Sequence, residues 1–480
     1  MKSYRRWTLG MLLGTLLISG AQAGEKEAAT ACCTEGLEPI AAADWDYAKA
    51  RHLLWRAGFG GTPREIEKLH AMGLESAVDY LVNYGAIPAM KTGVEIVPRK
   101  PDIADFLKKK GVDPRFAKRR KNLSEKENKQ YYELRREFSR LRNKKERERY
   151  NDVRELWMKR MAESPRPLEE KMVLFWHGLL VSSYTPFKMS YALYNQNELY
   201  RRHAAGNYGE LMHGLVRDAM MLRYLDNNSN VKGKPNENLA REIMELFTMG
   251  EGQGYGEHDI VEAARALTGN TYDRKSGEFV FREKSHDDGE KTIFGVKGNF
   301  DGDDLVDLIL AQSATARYVT GKIFAFFAYV DPDEAIVDAL ATRLRKGNYE
   351  VAPVLKTIFS SKAFYSDKAM GTQVKSPAQL VVGVVRSLGI ENADYAAMLR
   401  EADGMEQAIF NPPNVKGWEG GDSWVNTNTI FKRQNFSGWI ATSKVIHEGE
   451  GKGGYRGIGI VERLKGEKLD TSEAVVDYLA

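Results

Sequence analysis

The sequence predicts a mainly α fold: a multi-helical globular body with a small β-hairpin and a projecting charged helix or helical hairpin. Three observations carry this. Apolar residues recur at three- and four-residue spacings in one segment after another. Helix starts are marked by cap residues followed by Pro or acid. Alternating β character is confined to a single stretch near residues 279–295. The chain has 480 residues, 42% of them hydrophobic, enough for a large core in one to three domains.

The first 23 residues read as a signal peptide. Lys2, Arg5 and Arg6 form a basic n-region, Trp7 to Ile18 an apolar run too short to span a bilayer comfortably, and Ala21-Gln22-Ala23 a cleavage site. No other run is apolar enough to cross a membrane, so the mature chain is expected without a transmembrane segment, periplasmic or secreted. Residues 24–44 read as a flexible leader and 45–480 as a single helical domain. The cysteines are adjacent, Cys32 and Cys33, and lie in the leader, so the body has none for a disulfide.

The first helix starts near Ala43 and ends before Gly58-Phe59-Gly60-Gly61. Thr62-Pro63-Arg64-Glu65 is an N-cap with Pro at the first helical position. Residues 118–163 form a charged helical arm, in which Tyr131, Leu134, Phe138 and Leu141 follow a 3-4-3 spacing that breaks at Lys145. Ser164-Pro165-Arg166-Pro167 ends the arm. Leu168 to Val181 is apolar nearly all round and belongs in the core. Helices follow at 188–205, 208–224, 236–249 and 257–268. Phe279-Val280-Phe281 and Thr292-Ile293-Phe294-Gly295 flank Asp288-Gly289 as a hairpin. Asp301-Gly302-Asp303-Asp304 lacks EF-hand spacing and reads as an acidic helix cap. Helices at 313–328, 333–346, 351–360 and 376–388 complete the body.

The net charge is +4, from 70 Lys and Arg against 66 Asp and Glu. Three of the basic residues lie in 1–23, which has no acid, leaving +1. Residues 108–160 hold 21 basic and 9 acidic side chains, or +12, so the rest of the mature chain is −11. This is a basic region on an acidic body. Such a region suits a polyanionic glycan, or is simply a solvated helix surface. Export and near-neutral mature charge argue against nucleic acid as a partner.

Five ordered blocks stand out: Arg51-His52-Leu53-Leu54-Trp55-Arg56-Ala57-Gly58-Phe59-Gly60; Ser164-Pro165-Arg166-Pro167 with Lys171-Met172 and Phe175-Trp176-His177-Gly178; Asp226-Asn227-Asn228 with Asn236-Glu237-Asn238 and Ala240-Arg241-Glu242; Glu262-Ala263-Ala264-Arg265-Ala266-Leu267-Thr268-Gly269; and Pro412-Pro413-Asn414-Val415-Lys416-Gly417-Trp418. Together they resemble the bacterial domain-of-unknown-function 1800 family over nearly the whole mature chain. The resemblance implies an exported, α-rich protein without an assigned activity. It also implies a setting beside exported sulfatase-like proteins, and so envelope or polysaccharide work. Two positions depart from the pattern. Leu179 stands where many members have a second histidine, which removes a two-histidine metal grip. Gly256 stands where many have a Thr cap.

The candidate chemistry centres on 236–247. Leu239, Ile243 and Leu246 make an apolar stripe, while Asn238, Arg241, Glu242 and Glu245 share another face. Asp259, Glu262 and Arg265 follow on the next helix. The two polar faces make either a buried ionic lock or a cleft lined by acids and arginines. His177, in a nearly wholly apolar helix, is either a core histidine or a rigidly held base or ligand. His286, among loop carboxylates, is an acid/base or metal candidate, or an exposed turn. His52, between arginines, reads as packing. Trp418 and Trp424 lie in a turn-rich loop that either packs on the body or offers a sugar platform with Asn426 or Asp422.

The expected function is a polysaccharide-active hydrolase or lyase, with His177, Glu242 and His286 in acid/base roles. Arg241 and Arg265 would hold an anionic group and Trp418 or Trp424 would stack, with Asn238, Glu245 and Glu262 in the same cleft. The alternatives are a non-catalytic envelope scaffold that uses the charged arm, and a metal-dependent enzyme built on His286 and Asp287. The residues do not name a cofactor, and they leave open whether the protein is an enzyme.

Overall fold

The core is built around the Pro167–Leu179 helix, in which eleven successive residues from Pro167 to His177 are buried. The structure is a computed structural model that describes residues 35–442 except 92, 94, 95, 97–100, 114–123, 186, 274, 275, 391 and 392, together with Thr471. The described residues fall in one compact, mainly α unit with two small two-stranded sheets. Residues 1–23, expected to be a signal peptide, and Cys32 and Cys33 lie outside the described residues.

Most helices begin where the cap pattern places them. Thr62 and Glu65 form a reciprocal capping box ahead of Pro63–Met72, and Asp301 accepts from Asp303 and Asp304 ahead of Gly302–Ala311. Residues 35–44, expected in the leader, are pinned to the body instead. Ile40 N–H donates to Ser360 O at 3.0 Å, Lys362 N–H to Glu38 O at 2.8 Å and Ala363 N–H to Gly36 O at 2.8 Å. The segment pairs through its backbone, which composition does not record, and Leu37 and Ile40 pack against the core. The expected 208–224 helix is two, Tyr208–Leu215 and Ala219–Tyr224, because the Asp218 side chain caps the second. Tyr395–Gly404 and Thr427–Thr442 are helices not expected from the spacing.

The arm is one helix, Glu125–Glu163, started by a Ser124–Glu127 capping box. Its C-terminal half packs in the core through Val153, Leu156, Trp157, Met158 and Met161.

The β region differs from the expectation. Phe279–Phe281 pairs antiparallel with Asn270–Tyr272, not with 292–295. Lys291–Ile293 pairs with Val296–Gly298 instead. The turn of this second hairpin is Phe294-Gly295, both at positive φ (50° and 77°), the twist a two-residue hairpin requires. Asp288-Gly289 sits in the loop before it, with Asp288 ion-paired to Lys232.

Buried cations cap helix ends. Lys171, 3% exposed, donates to Gly58 O at 2.7 Å and Trp55 O at 3.4 Å, at the end of Tyr47–Ala57. Arg56 donates to Phe327 O at 2.7 Å and to Ala328 O, at the end of Ser313–Phe327. Arg386 donates to Ala162 O and Ser164 O, closing the arm. Carbonyls left over at helix C-termini carry partial negative charge, which offsets part of the cost of burying these cations. Burial pushes the Lys171 ammonium well below its ordinary range.

Candidate functional site

The segment with the two sequence faces is an α-helix, Asn238–Glu242, that widens into a π-helix, Ile243–Thr248. The widening changes which residues face the core. Met244 and Phe247 are fully buried beside Ile243, and Leu246, expected in the apolar stripe, is only partly buried. A π turn frees backbone carbonyls that an α turn would use. Side chains take them up here: Thr248 Oγ1 donates to Ile243 O at 2.6 Å, Tyr318 OH to Leu246 O at 2.7 Å and Tyr208 OH to Phe247 O at 2.6 Å. The register they fix turns Glu245 and Leu246 toward a cavity of about 610 Å³.

Four pieces wall that cavity. The C-terminal turn of Pro167–Leu179 supplies Phe175, Gly178 and Leu179, and the Ser313–Phe327 helix supplies Tyr318, Lys322 and Phe326. The loop after the π segment brings Glu251. The 415–424 loop brings Lys416, Trp418, Glu419 and Trp424. That loop is seated by glycine. Gly417 has φ +80°, and a Cβ there would lie 2.7 Å from Gly178 O, so only a glycine permits the approach. Asn414 Oδ1 accepts from Lys416 N–H at 2.8 Å, and Lys416 Nζ reaches Glu251 at 3.1 Å. Seated this way, Trp418 lies 5.7 Å from the His177 ring, centroid to centroid.

Three glutamines belong to the lining; Gln373 spends its NH₂ on Ala325 O and Ala328 O, and the other two do not. Gln379 Oε1 accepts from Ser376 N–H at 3.0 Å, and Gln407 Oε1 from Ala378 N–H at 2.8 Å. A backbone N–H can bond only the oxygen end of a carboxamide, so each NH₂ is turned the other way. Both residues line the cavity, and among the described residues neither NH₂ has a protein partner. Gln407 is only 4% exposed, so its remaining access is to the cavity.

The sequence candidates divide into three places. Trp418, Trp424 and Glu245 meet at the cavity. His177 lies behind it, 1% exposed, among Trp157, Phe410 and Trp418, with Nε2 accepting from Phe410 N–H at 3.1 Å. Desolvation pushes its pKa down to about 3, so it is a neutral core imidazole. His52 is similar, bonded to Phe364 O at 3.0 Å and pushed down to about 4 by burial. Glu242 is half-buried beside the cavity, its pKa raised by desolvation and then by Glu245. It is not part of the lining, and neither is Asn238, which is exposed.

The remaining candidates form ion-pair locks. Arg241 bonds Glu257 at 2.7 and 2.9 Å, Glu237 at 3.0 Å and Glu245 at 3.3 Å, tying the α/π segment to the start of Glu257–Ala266. Arg265 bonds Glu262 at 2.9 Å and Asp287 at 2.8 Å. Glu262 also accepts from Thr292 N–H at 3.0 Å, and Asp259 from Phe294 N–H at 2.7 Å. The face of the second helix is thus spent on docking the Lys291–Gly298 hairpin. The Arg265 guanidinium holds the Asp287 carboxyl down, to about 2. His286 belongs to this region, with Nδ1 2.9 Å from Thr268 O and its ring against Phe281. No contact joins it to His177 or Glu242 among the described residues. Nor is any group of three or more His, Cys, Asp or Glu there placed to hold a metal ion.

Reasoning from the sequence missed Glu251, Lys322, Tyr318, Gln379, Gln407 and Lys416 as cavity residues. Ser376-Pro377-Ala378-Gln379 has capping-box spacing, which explains one amide of Gln379 but not its second use. Gln407 has no local signal; the first turn of the Pro377–Ser387 helix, 29 residues earlier, positions it.

The model of the family described as protein of unknown function (DUF1800) matches residues 52–480. The chain belongs to that family. Comparison with curated proteins finds no match, and comparison with solved structures finds none. The match takes in all four walls of the cavity as well as both ion-pair locks, so the DUF1800 region is the body described above. No helix among the described residues is long and apolar enough to cross a membrane.

Proposed function

We propose that this DUF1800 protein works outside the cytoplasm on polysaccharide, and that the cavity roofed by the 415–424 loop binds a short saccharide segment. The observation that supports this most is the pairing of two indoles, Trp418 and Trp424, with the two unused carboxamide donors of Gln379 and Gln407 in one cavity. An indole face suits the C–H face of a sugar ring, and fixed amide donors suit its hydroxyls. About 610 Å³ lies within the range of small-ligand sites, roughly 300–1,000 Å³. Lys322, which meets no carboxylate among the described residues, can take a carboxylate or ester anion on the sugar, whereas Lys416 is paired with Glu251.

In this reading Glu245 and Glu251 take the acid/base places first given to His177, Glu242 and His286. They are carboxylates of the lining itself, each next to a cation, Arg241 and Lys416. Hydrolysis or elimination needs such groups within hydrogen-bond reach of the scissile linkage.

Calorimetric titration with neutral and uronic-acid oligosaccharides tests the proposal. Trp418→Ala should weaken binding about tenfold or more, and Gln407→Glu should do the same. The second variant keeps the acceptor for Ala378 N–H and replaces the donor by a carboxylate oxygen, so the neutral oligosaccharides read the lost donor apart from the added charge. Wild-type protein that binds none of the panel, or variants that bind as it does, would overturn the reading. Glu245→Gln and Glu251→Gln that bind but no longer cleave would assign the chemistry.

A further inference from the structure

We infer that the exposed face of the Glu125–Glu163 helix is a docking track for a linear polyanionic glycan. Lys126, Lys129, Arg136, Arg140, Lys144 and Arg147 follow one another at spacings of three, seven, four, four and three, which places them on one helix face. All six are exposed. Glu133 and Glu137 are acids at the same spacings, and Glu137 is engaged by Lys110 at 2.5 Å. Among the described residues, only Lys144 of the six lies within ion-pair distance of a carboxylate, Glu148 at 4.0 Å. At 1.5 Å per residue the track runs about 32 Å.

Several arginines elsewhere in the molecule are engaged instead. Arg241, Arg265 and Arg201 each meet two or more carboxylates. Unpaired cations gather on this helix, on a mature chain that is otherwise acidic. A polyanion is repelled by the body and attracted to the arm, so charge orients it there. The track is also rigid. The capping box fixes its start, and Arg154 with Asp403 and Arg160 with Glu198 fix its root.

The opposite face shows why the occupant is a polymer and not a bilayer. Tyr131 is buried there and Leu134, Phe138 and Leu141 are half-buried, with Phe138 5.4 Å from Phe106 of the Ile103–Lys109 helix. A membrane-surface helix inserts its apolar face between lipids; this one has turned that face to its own body.

Fluorescence anisotropy with labelled polygalacturonate and dextran sulfate tests the inference, with unmodified dextran and phosphatidylglycerol vesicles as comparisons. Wild-type protein should bind both polyanions at low salt and release them by about 0.5 M NaCl. Arg136→Gln/Arg140→Gln/Arg147→Gln should weaken binding about tenfold or more. Arg343→Gln/Arg345→Gln/Lys346→Gln removes equal charge from another helix and should change it about twofold or less. Both variants should keep the wild-type circular dichroism and Tm. Arg136→Gln/Arg140→Gln/Arg147→Gln should leave calorimetric binding of short neutral oligosaccharides unchanged, which separates this surface from the cavity. Equal effects of the two triple variants, competition by unmodified dextran, or binding to the vesicles in place of the polyanions would overturn the inference.

Discussion

Replacing His177 by Gln separates a core histidine from a working one. In the folded protein the ring is neutral down to about pH 3, whereas in the unfolded chain it gains a proton below about pH 6.5. The folded pKa is depressed, so below 6.5 the unfolded state binds more protons and stability is lost as pH falls. One such group costs about 1.4 kcal/mol per pH unit, or about 2 kcal/mol between pH 7 and pH 5. His52, pushed down to about 4, adds a similar slope over the same window, for a combined loss of about 4 kcal/mol. His177→Gln can keep an acceptor for Phe410 N–H but gives up ring contacts with Trp157, Phe410 and Trp418. It should cost about 1–3 kcal/mol at pH 7.5 and lower the slope between pH 6 and pH 4 by about 1.4 kcal/mol per pH unit, whatever other groups, Asp218 among them, add to the wild-type slope. Urea unfolding at half-unit pH steps reads both quantities. An unchanged slope, or an imidazole that titrates near 6.5 in the folded protein by NMR, refutes the reasoning and returns His177 to the list of acid/base groups.

Three further outcomes follow from the same geometry. Asp218 accepts from Met221 N–H and Gln196 Nε2, and burial pushes its carboxyl up to about 7. The folded pKa is raised, so its contribution is best at low pH and is lost as pH rises from about 4 to 7. Asp218→Asn keeps both bonds and the cap, and should stabilise by about 2–4 kcal/mol at pH 8 and little at pH 4, measured by urea unfolding. Arg265→Met leaves Asp287 and Glu262 partly buried without their cation. It should cost about 2–3 kcal/mol at pH 7 and remove the wild-type loss of stability between pH 4 and pH 2, where Asp287 is protonated. Gly417→Ala puts a Cβ against Gly178 O and strains the left-handed backbone, so it should lower stability by about 1–3 kcal/mol and weaken saccharide binding, whereas Gly252→Ala, also at positive φ but facing open space, should leave binding unchanged.

The helical body could be read from the sequence because its signals are local. Thr62, Ser124, Asp301 and Ser376 cap their helices through bonds spanning three residues, and an apolar run such as Met172–Trp176 can only be core. The misreadings share a cause, which is that partners distant in the chain settle them. Phe279–Phe281 pairs backward with Asn270–Tyr272 because Phe294-Gly295 closes the second hairpin on its own. The Leu239, Ile243, Leu246 stripe assumes an α period, and hydroxyls from Tyr208 and Tyr318 help to hold a π period instead. In the site, the indoles of Trp418 and Trp424 and the acid of Glu245 were visible as residue types. The amides that meet them were not, because Gln407 is ordinary until Ala378 N–H, 29 residues away, fixes its orientation.

The two polar helix faces, first read as either lock or cleft, turn out to do different things along one segment. Arg241 and Arg265 are saturated by carboxylates, and the partners are those of a structural network: a neighbouring helix start and a docked hairpin. The more exposed pairs of Arg241 contribute little each, about 0–1 kcal/mol, and their value lies in fixing orientation. What they orient is the π turn. One turn beyond Arg241 the same segment changes period, and Glu245, held by that arginine on one side, comes to line the cavity on the other. The lock therefore sets the position of a cavity wall. A variant that breaks it, such as Arg241→Met, should act on ligand affinity through Glu245 without touching the ligand itself.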